Sequence, residues 1–129
     1  MSKVKKTSTN YENKQLMIEE CIEMYAIHLL SGQWTMAIGC YLLQGPLRFG
    51  ELRKCLPTIT ERMLTLHLRK MEQNKLIKRT VYAAVPPRVE YELTEIGLGL
   101  EPIIKMLAEW GEMHKNAVKT DVSADPVVQ

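Results

Sequence analysis

Apolar residues recur along this chain at two different periods, and the change of period divides it into elements. From about Tyr11 to Leu30 the period is helical: Leu16, Met17, Cys21, Met24, Ile27, His28 and Leu30 make one broad side, with Glu12, Glu19, Glu20 and Glu23 outside. Ser31-Gly32 ends that helix, because glycine tolerates the left-handed backbone of a C-cap. A second helix, about Trp34 to Leu43, is apolar on nearly all sides and is expected at the centre, with Cys40 in the core. Gly45-Pro46 stops it. A short helix from about Phe49 to Cys55 turns Phe49, Leu52 and Leu56 inward and Arg53 and Lys54 outward, and Pro57 ends it.

After a three-residue turn, Thr58-Ile59-Thr60, the run to Gln73 has two unlike faces. Leu64, Leu68 and Met71 repeat at i, i+4, i+7, the spacing of a buried stripe. Arg62, Leu66, Arg69 and Gln73 fall on the opposite stripe, beside Thr65 and Lys70. Thr58 or Thr60 is available as the N-cap. Short helix, tight turn and amphipathic helix in succession is the arithmetic of a helix-turn-helix.

Beyond Asn74 the period drops to two. Ile77, Arg79 and Val81 alternate with Lys78, Thr80 and Tyr82, and Val89, Tyr91 and Leu93 alternate with Glu90 and Glu92. Pro86-Pro87 cannot donate ladder hydrogen bonds and belongs in the connecting loop, which places Arg88 at the hairpin tip. Helix-turn-helix followed by a hairpin is a winged helix. The fold class is therefore mainly α with a small β-hairpin. Thr94 caps a last helix, Glu95 to about Ala117. In it Ile96, Leu100, Ile103, Leu107 and Trp110 recur at spacings of four and three, a seam for helix-helix packing. Pro102 lies inside that helix and is expected to kink or divide it. The expected organisation is a disordered basic arm over residues 1–10, a winged-helix domain over 11–118, and a disordered tail over 119–129.

Composition adds a partner. Apolar residues make up 46% of 129, an ordinary value for one domain with a real core. The net charge of +2 conceals an asymmetry. Residues 45–92 carry ten Lys or Arg against five acids, and residues 1–16 carry four Lys against one Glu. The segments 17–44 and 93–129 are each acidic. A basic middle points to an anionic partner, with duplex DNA first among the candidates. No apolar run is long enough for a membrane span and no apolar leader is visible, so the cytoplasm is the expected location. Cys21, Cys40 and Cys55 lack metal-ligand spacing, and His28, His67 and His114 have no partner at such spacing. No metal or other cofactor is expected. P-loop, GxSxG, HExxH and GxGxxG motifs are absent, and nothing asks for an enzyme.

Four runs then carry a family resemblance: GQWT (32–35), LRFGELRKCLPTITERMLTLHLRKME (47–72), PPRVEYELTEIG (86–97) and LAEWGE (107–112). Together they resemble the HxlR-type winged-helix transcriptional regulators, related in fold to the MarR group. The resemblance implies a homodimer built on the first and last helices, which puts Met17, Met24, Ile103, Leu107 and Trp110 at the interface. It also implies that each recognition helix enters a major groove of a pseudo-palindromic operator, with the wings on neighbouring backbone or minor groove. Two departures stand out. Gln33 replaces the usual Lys. Cys21 matches the position of a cysteine that several members use to sense oxidants or electrophiles, but Ile22 follows it where members have Pro. The periodicity places Cys21 inside a helix among Glu19, Glu20 and Glu23, a setting that disfavours the reactive thiolate.

The candidate DNA contacts are Arg62, Thr65, Leu66 and Arg69, with Thr60 and Gln73 at the edges; Arg reads guanine O6 and N7, and Leu66 suits a thymine methyl. Wing and flank candidates are Lys78, Arg79, Arg88 and Arg53, with pairing of Arg79 to Glu90 or Glu92 left open. Expected partners are double-stranded DNA, a second copy of the chain, and a small-molecule or oxidant effector, with no membrane. Two alternatives stand beside a sequence-specific regulator: a thiol-based sensor using Cys21, and a winged-helix protein-interaction module without DNA binding.

Overall fold

The computed structural model describes Glu12 and residues 21–120, so Met17 and both terminal tails lie outside the described residues. In chain order the elements are α1 (Ile22–Leu29), α2 (Gln33–Leu42), β1 (Leu47–Arg48), α3 (Phe49–Cys55), α4 (Glu61–Gln73), β2 (Ile77–Tyr82), β3 (Arg88–Leu93), α5 (Glu95–Leu98) and α6 (Leu100–Thr120). Two compact units divide the chain, residues 1–37 and 38–129, and α2 runs across their boundary.

In the first unit α1 buries none of its residues; Ile22, Tyr25 and Ile27 are all exposed. Contrary to the periodicity, which puts it inside a helix, Cys21 lies outside α1. Its backbone is extended (φ −120°, ψ 110°) and it stands at the N-cap of α1. The apolar period runs on through this residue, but the backbone does not follow it.

The core of the second unit is assembled from one stripe of each element: Ile38 and Leu42, Leu52 and Leu56, Ile59, then Leu64, Leu68 and Met71 of α4, with Leu76, Ile77, Leu93 and Leu100. Each such side chain contributes about 1.5–3 kcal/mol through burial. The stripe predicted for α4 is the buried one, and Thr60 is its N-cap, accepting from the Met63 N–H at 3.1 Å. Cys40 departs from expectation. It is exposed, as is Tyr41, because only Ile38, Gly39 and Leu42 of that stretch turn into the core.

The sheet has three antiparallel strands in the order β1-β3-β2. The strand missing from the sequence reading is β1, two residues that pair Leu47 with Tyr91 and Arg48 with Glu90. The last helical stretch is divided, though not at Pro102. The break falls at Gly99, between α5 and α6, and leaves Pro102 in the first turn of α6, where a missing N–H has no helical partner to lose. The seam is thereby split: Leu100 is buried, while Ile96, Ile103, Leu107 and Trp110 are exposed.

One corner fixes the hairpin relative to α4. Lys75 takes a left-handed backbone (φ 65°), and the Leu76 N–H donates to Met71 O at 2.9 Å, closing α4 in a Schellman turn. The Thr94 hydroxyl donates to Lys75 O at 2.6 Å and also accepts from the Gly97 N–H at 3.0 Å, capping α5. Gly97 packs so tightly here that a Cβ would run into the Leu76 carbonyl.

Candidate nucleic-acid interface

With Leu64, Leu68 and Met71 buried, the opposite face of α4 is obliged to face outward. Leu66 is 57% exposed, and Glu61, Arg62, Thr65, Leu66 and Arg69 line one shallow concavity along the helix. Gln73 lies at its far end, exposed. Thr60 is at the near end, with its hydroxyl oxygen already accepting the capping bond.

The hairpin register decides what its charges can reach. Lys78 stands opposite Glu92 and Thr80 opposite Glu90, while Arg79 stands opposite Tyr91. Successive side chains point to opposite faces, so Lys78 shares a face with both acids and Arg79 does not. The Lys78 ammonium sits 3.3 Å from Glu92 Oε2. Arg79 is therefore turned away from the two glutamates that the sequence left open as its partners. Arg88 begins β3 and is not at the tip, which is formed by residues 83–87 with Val85 fully exposed. The Arg88 guanidinium lies 4.3 Å from the Tyr82 ring centroid, and its Nε is 3.3 Å from Glu90 Oε2.

Arg53 is drawn into the turn ahead of α4. Its Nη1 lies 3.1 Å from Glu61 Oε2 and its Nη2 donates to the Ile59 carbonyl at 3.4 Å. The predicted cations thus sort into two groups. Arg53, Lys78 and Arg88 each face an acid. Among the described residues, Arg62, Arg69 and Arg79 have no carboxylate within 4.0 Å and no side-chain hydrogen bond. Two of these three lie on α4 and one on β2, and Arg69 and Arg79 line a common cleft. Sequence reasoning missed Tyr91 and Phe49, which line that cleft too; the alternation marks Tyr91 as facing with Arg79, and that was the signal available.

Elsewhere, the half-buried Cys21 thiol donates to Glu23 Oε1 at 3.1 Å, and this hydrogen bond holds the Glu23 carboxyl below the usual carboxylate range. Met24 is half-buried on α1. Along α6, Ile103, Met106, Leu107, Trp110 and Met113 form an exposed apolar stripe, with His114 stacked on Trp110 at 5.4 Å. Among the described residues no group of His, Cys, Asp and Glu could hold a metal ion, and no helix is long and apolar enough to cross a membrane.

Comparison with known proteins agrees with this architecture. The model of the HxlR-like helix-turn-helix family matches residues 29–119. YybR of Bacillus subtilis, an HTH-type transcriptional regulator, is 40% identical over 110 residues, 85% of each chain. Among solved structures, an HTH-type transcriptional regulator, ytcD, superposes with a TM-score of 0.71 at 42% identity, covering 75% of this chain and 98% of its own. The oxidised form of the redox regulator HypR superposes with a TM-score of 0.67 at 43% identity, covering 72% and 96%.

Proposed function

The chain belongs to the HxlR-like helix-turn-helix family of transcriptional regulators, and from that premise we propose that it acts as a homodimer on a pseudo-palindromic DNA operator. The observation that carries this reading is the outer face of α4. Among the described residues Arg62 and Arg69 stand there without acidic partners, on either side of the exposed Leu66. Guanidiniums beside an apolar side chain match the edges of a major groove, where guanine offers paired acceptors and thymine a methyl group. The unpaired cations displace condensed counterions and make affinity fall with salt. Contacts from Arg62 and Leu66 supply discrimination, about 1–3 kcal/mol for each good bidentate pair.

Dimerisation rests on the α6 stripe, since Ile103, Leu107 and Trp110 are the kind of surface that an isolated soluble chain does not leave bare. The test is fluorescence anisotropy with random duplex DNA at low salt. Salt-sensitive binding supports the reading, and no binding at any protein concentration sinks it in favour of a protein-interaction module.

A thiol switch is a second reading, favoured by the extended N-cap placement of Cys21. That placement sets the thiol beside the free backbone N–H groups of the first turn. The neighbouring Glu23 accepts the thiol's hydrogen bond. HypR, a redox regulator with oxidised and reduced structures, is the relevant relative. Treatment with diamide or a quinone should then change operator affinity in the parent and not in Cys21→Ser.

A further inference from the structure

Between α4 and the hairpin lies a cleft of about 430 Å³ lined by Phe49, Thr65, Arg69, Glu72, Arg79 and Tyr91. Its walls come from separate parts of the fold. Thr65, Arg69 and Glu72 share one face of α4 at i, i+4, i+7. Arg79 and Tyr91 are direct cross-strand partners, and Tyr91 is on the central strand, paired on its other side with Leu47. Four hydrogen-bond donors therefore converge: two guanidiniums and the hydroxyls of Thr65 and Tyr91. Among the described residues none of the four has a hydrogen-bond or ion-pair partner, although Glu72 lines the same cleft.

We infer that this cleft seats a single phosphodiester group of the DNA backbone, clamped between the recognition helix and the wing. The inference rests on the DNA-binding reading above and deepens it. Two Arg and one Glu leave the lining one positive charge. That matches the single negative charge of a diester, whereas a phosphate monoester is largely doubly charged near neutral pH. Guanidinium forks and hydroxyls are the donors that phosphate oxygens take. The seat also gives the hairpin a function apart from its paired cations. Arg79 is the wing residue turned toward α4, and Arg69 reaches the backbone where the helix leaves the groove. Base reading then falls to Arg62 and Leu66.

The experiment measures binding of one duplex across a salt series for Arg69→Gln, Arg79→Gln, the double variant and Tyr91→Phe. It adds duplexes carrying one neutral methylphosphonate at successive positions. Both arginines are exposed, so the variants should fold. Each single Arg variant is expected to lose about tenfold in affinity per half-site, on the order of a hundredfold for the dimer. The log–log salt slope of the dimer should fall by about 1.8, roughly 0.9 for the one phosphate seated in each half-site. The double variant should lose no more slope than either single one. Tyr91→Phe should lose a few-fold with the slope unchanged. One methylphosphonate position per half-site should erase the penalty of both Arg variants. Additive slope losses, or different methylphosphonate positions coupled to Arg69 and Arg79, would overturn the shared seat while leaving DNA binding intact. Failure of the unaltered protein to bind any duplex would remove both readings. Inorganic phosphate, added at constant ionic strength, should not compete. Displacement of DNA from the parent and not from Arg79→Gln would instead identify a site for free phosphate and overturn the assignment.

Discussion

Arg53 reaches across the turn between α3 and α4 to Glu61, with 3.1 Å between Nη1 and Oε2, and its Nη2 donates to the Ile59 carbonyl inside that turn. This arginine ties the turn to the start of α4, while Glu61 itself stays largely exposed. The ion pair is partly exposed, so its own contribution is below about 1 kcal/mol. Arg53→Met should lower stability by about 1 kcal/mol in total, because the hydrogen bond to Ile59 is lost as well. DNA affinity should fall similarly on every sequence, with the salt slope unchanged. A slope reduced by about two units for the dimer, roughly one per protomer, would show that Arg53 touches a phosphate directly.

Gly97 and Lys75 define the corner that aims the hairpin, and they make opposite demands. A side chain at Gly97 meets the Leu76 carbonyl, which is backbone and cannot swing aside. Gly97→Ala should cost about 2–3 kcal/mol, seen as a lower urea midpoint with an unchanged m-value. Lys75 already occupies the left-handed region at φ 65°, so Lys75→Gly should stabilise by about 1 kcal/mol. A destabilised Lys75→Gly would show that its side chain contributes more than its backbone costs.

Trp110, 59% exposed on α6, lies in the middle of the apolar stripe. In a dimer built on that stripe Trp110→Glu places a charge in the interface, and sedimentation should report monomers at concentrations where the parent is dimeric. Dimer mass retained by the variant would move the interface elsewhere.

Much of this was legible in the chain itself. The α4 boundaries and the two hairpin strands follow from strong periods, while the choice between Thr58 and Thr60 as cap needed the backbone. Local period says less about what surrounds a residue. Two residues cannot display alternation, so β1 was invisible until Tyr91 and Glu90 were placed beside it. Cys40 lies in an apolar run, and apolarity does not separate a core position from an uncovered one. Cys21 sits on an apparently continuous helical period that the extended backbone interrupts. Gly99 provided the break that Pro102 seemed to require, because proline costs little in a first turn. The sorting of cations into paired and unpaired groups depended on register. Lys78 and Arg79 are adjacent in sequence, yet one faces the acids and the other faces α4.

The central claim is that the outer face of α4 reads DNA sequence, and selection of bound duplexes from a random pool tests it most directly, run in parallel on the parent and on Arg62→Ala. The parent should return one pseudo-palindromic motif with half-sites about one helical turn apart. Arg62→Ala should return a motif relaxed at one position in each half-site and unchanged elsewhere. Identical motifs from both proteins, or no enrichment from the parent, would contradict it.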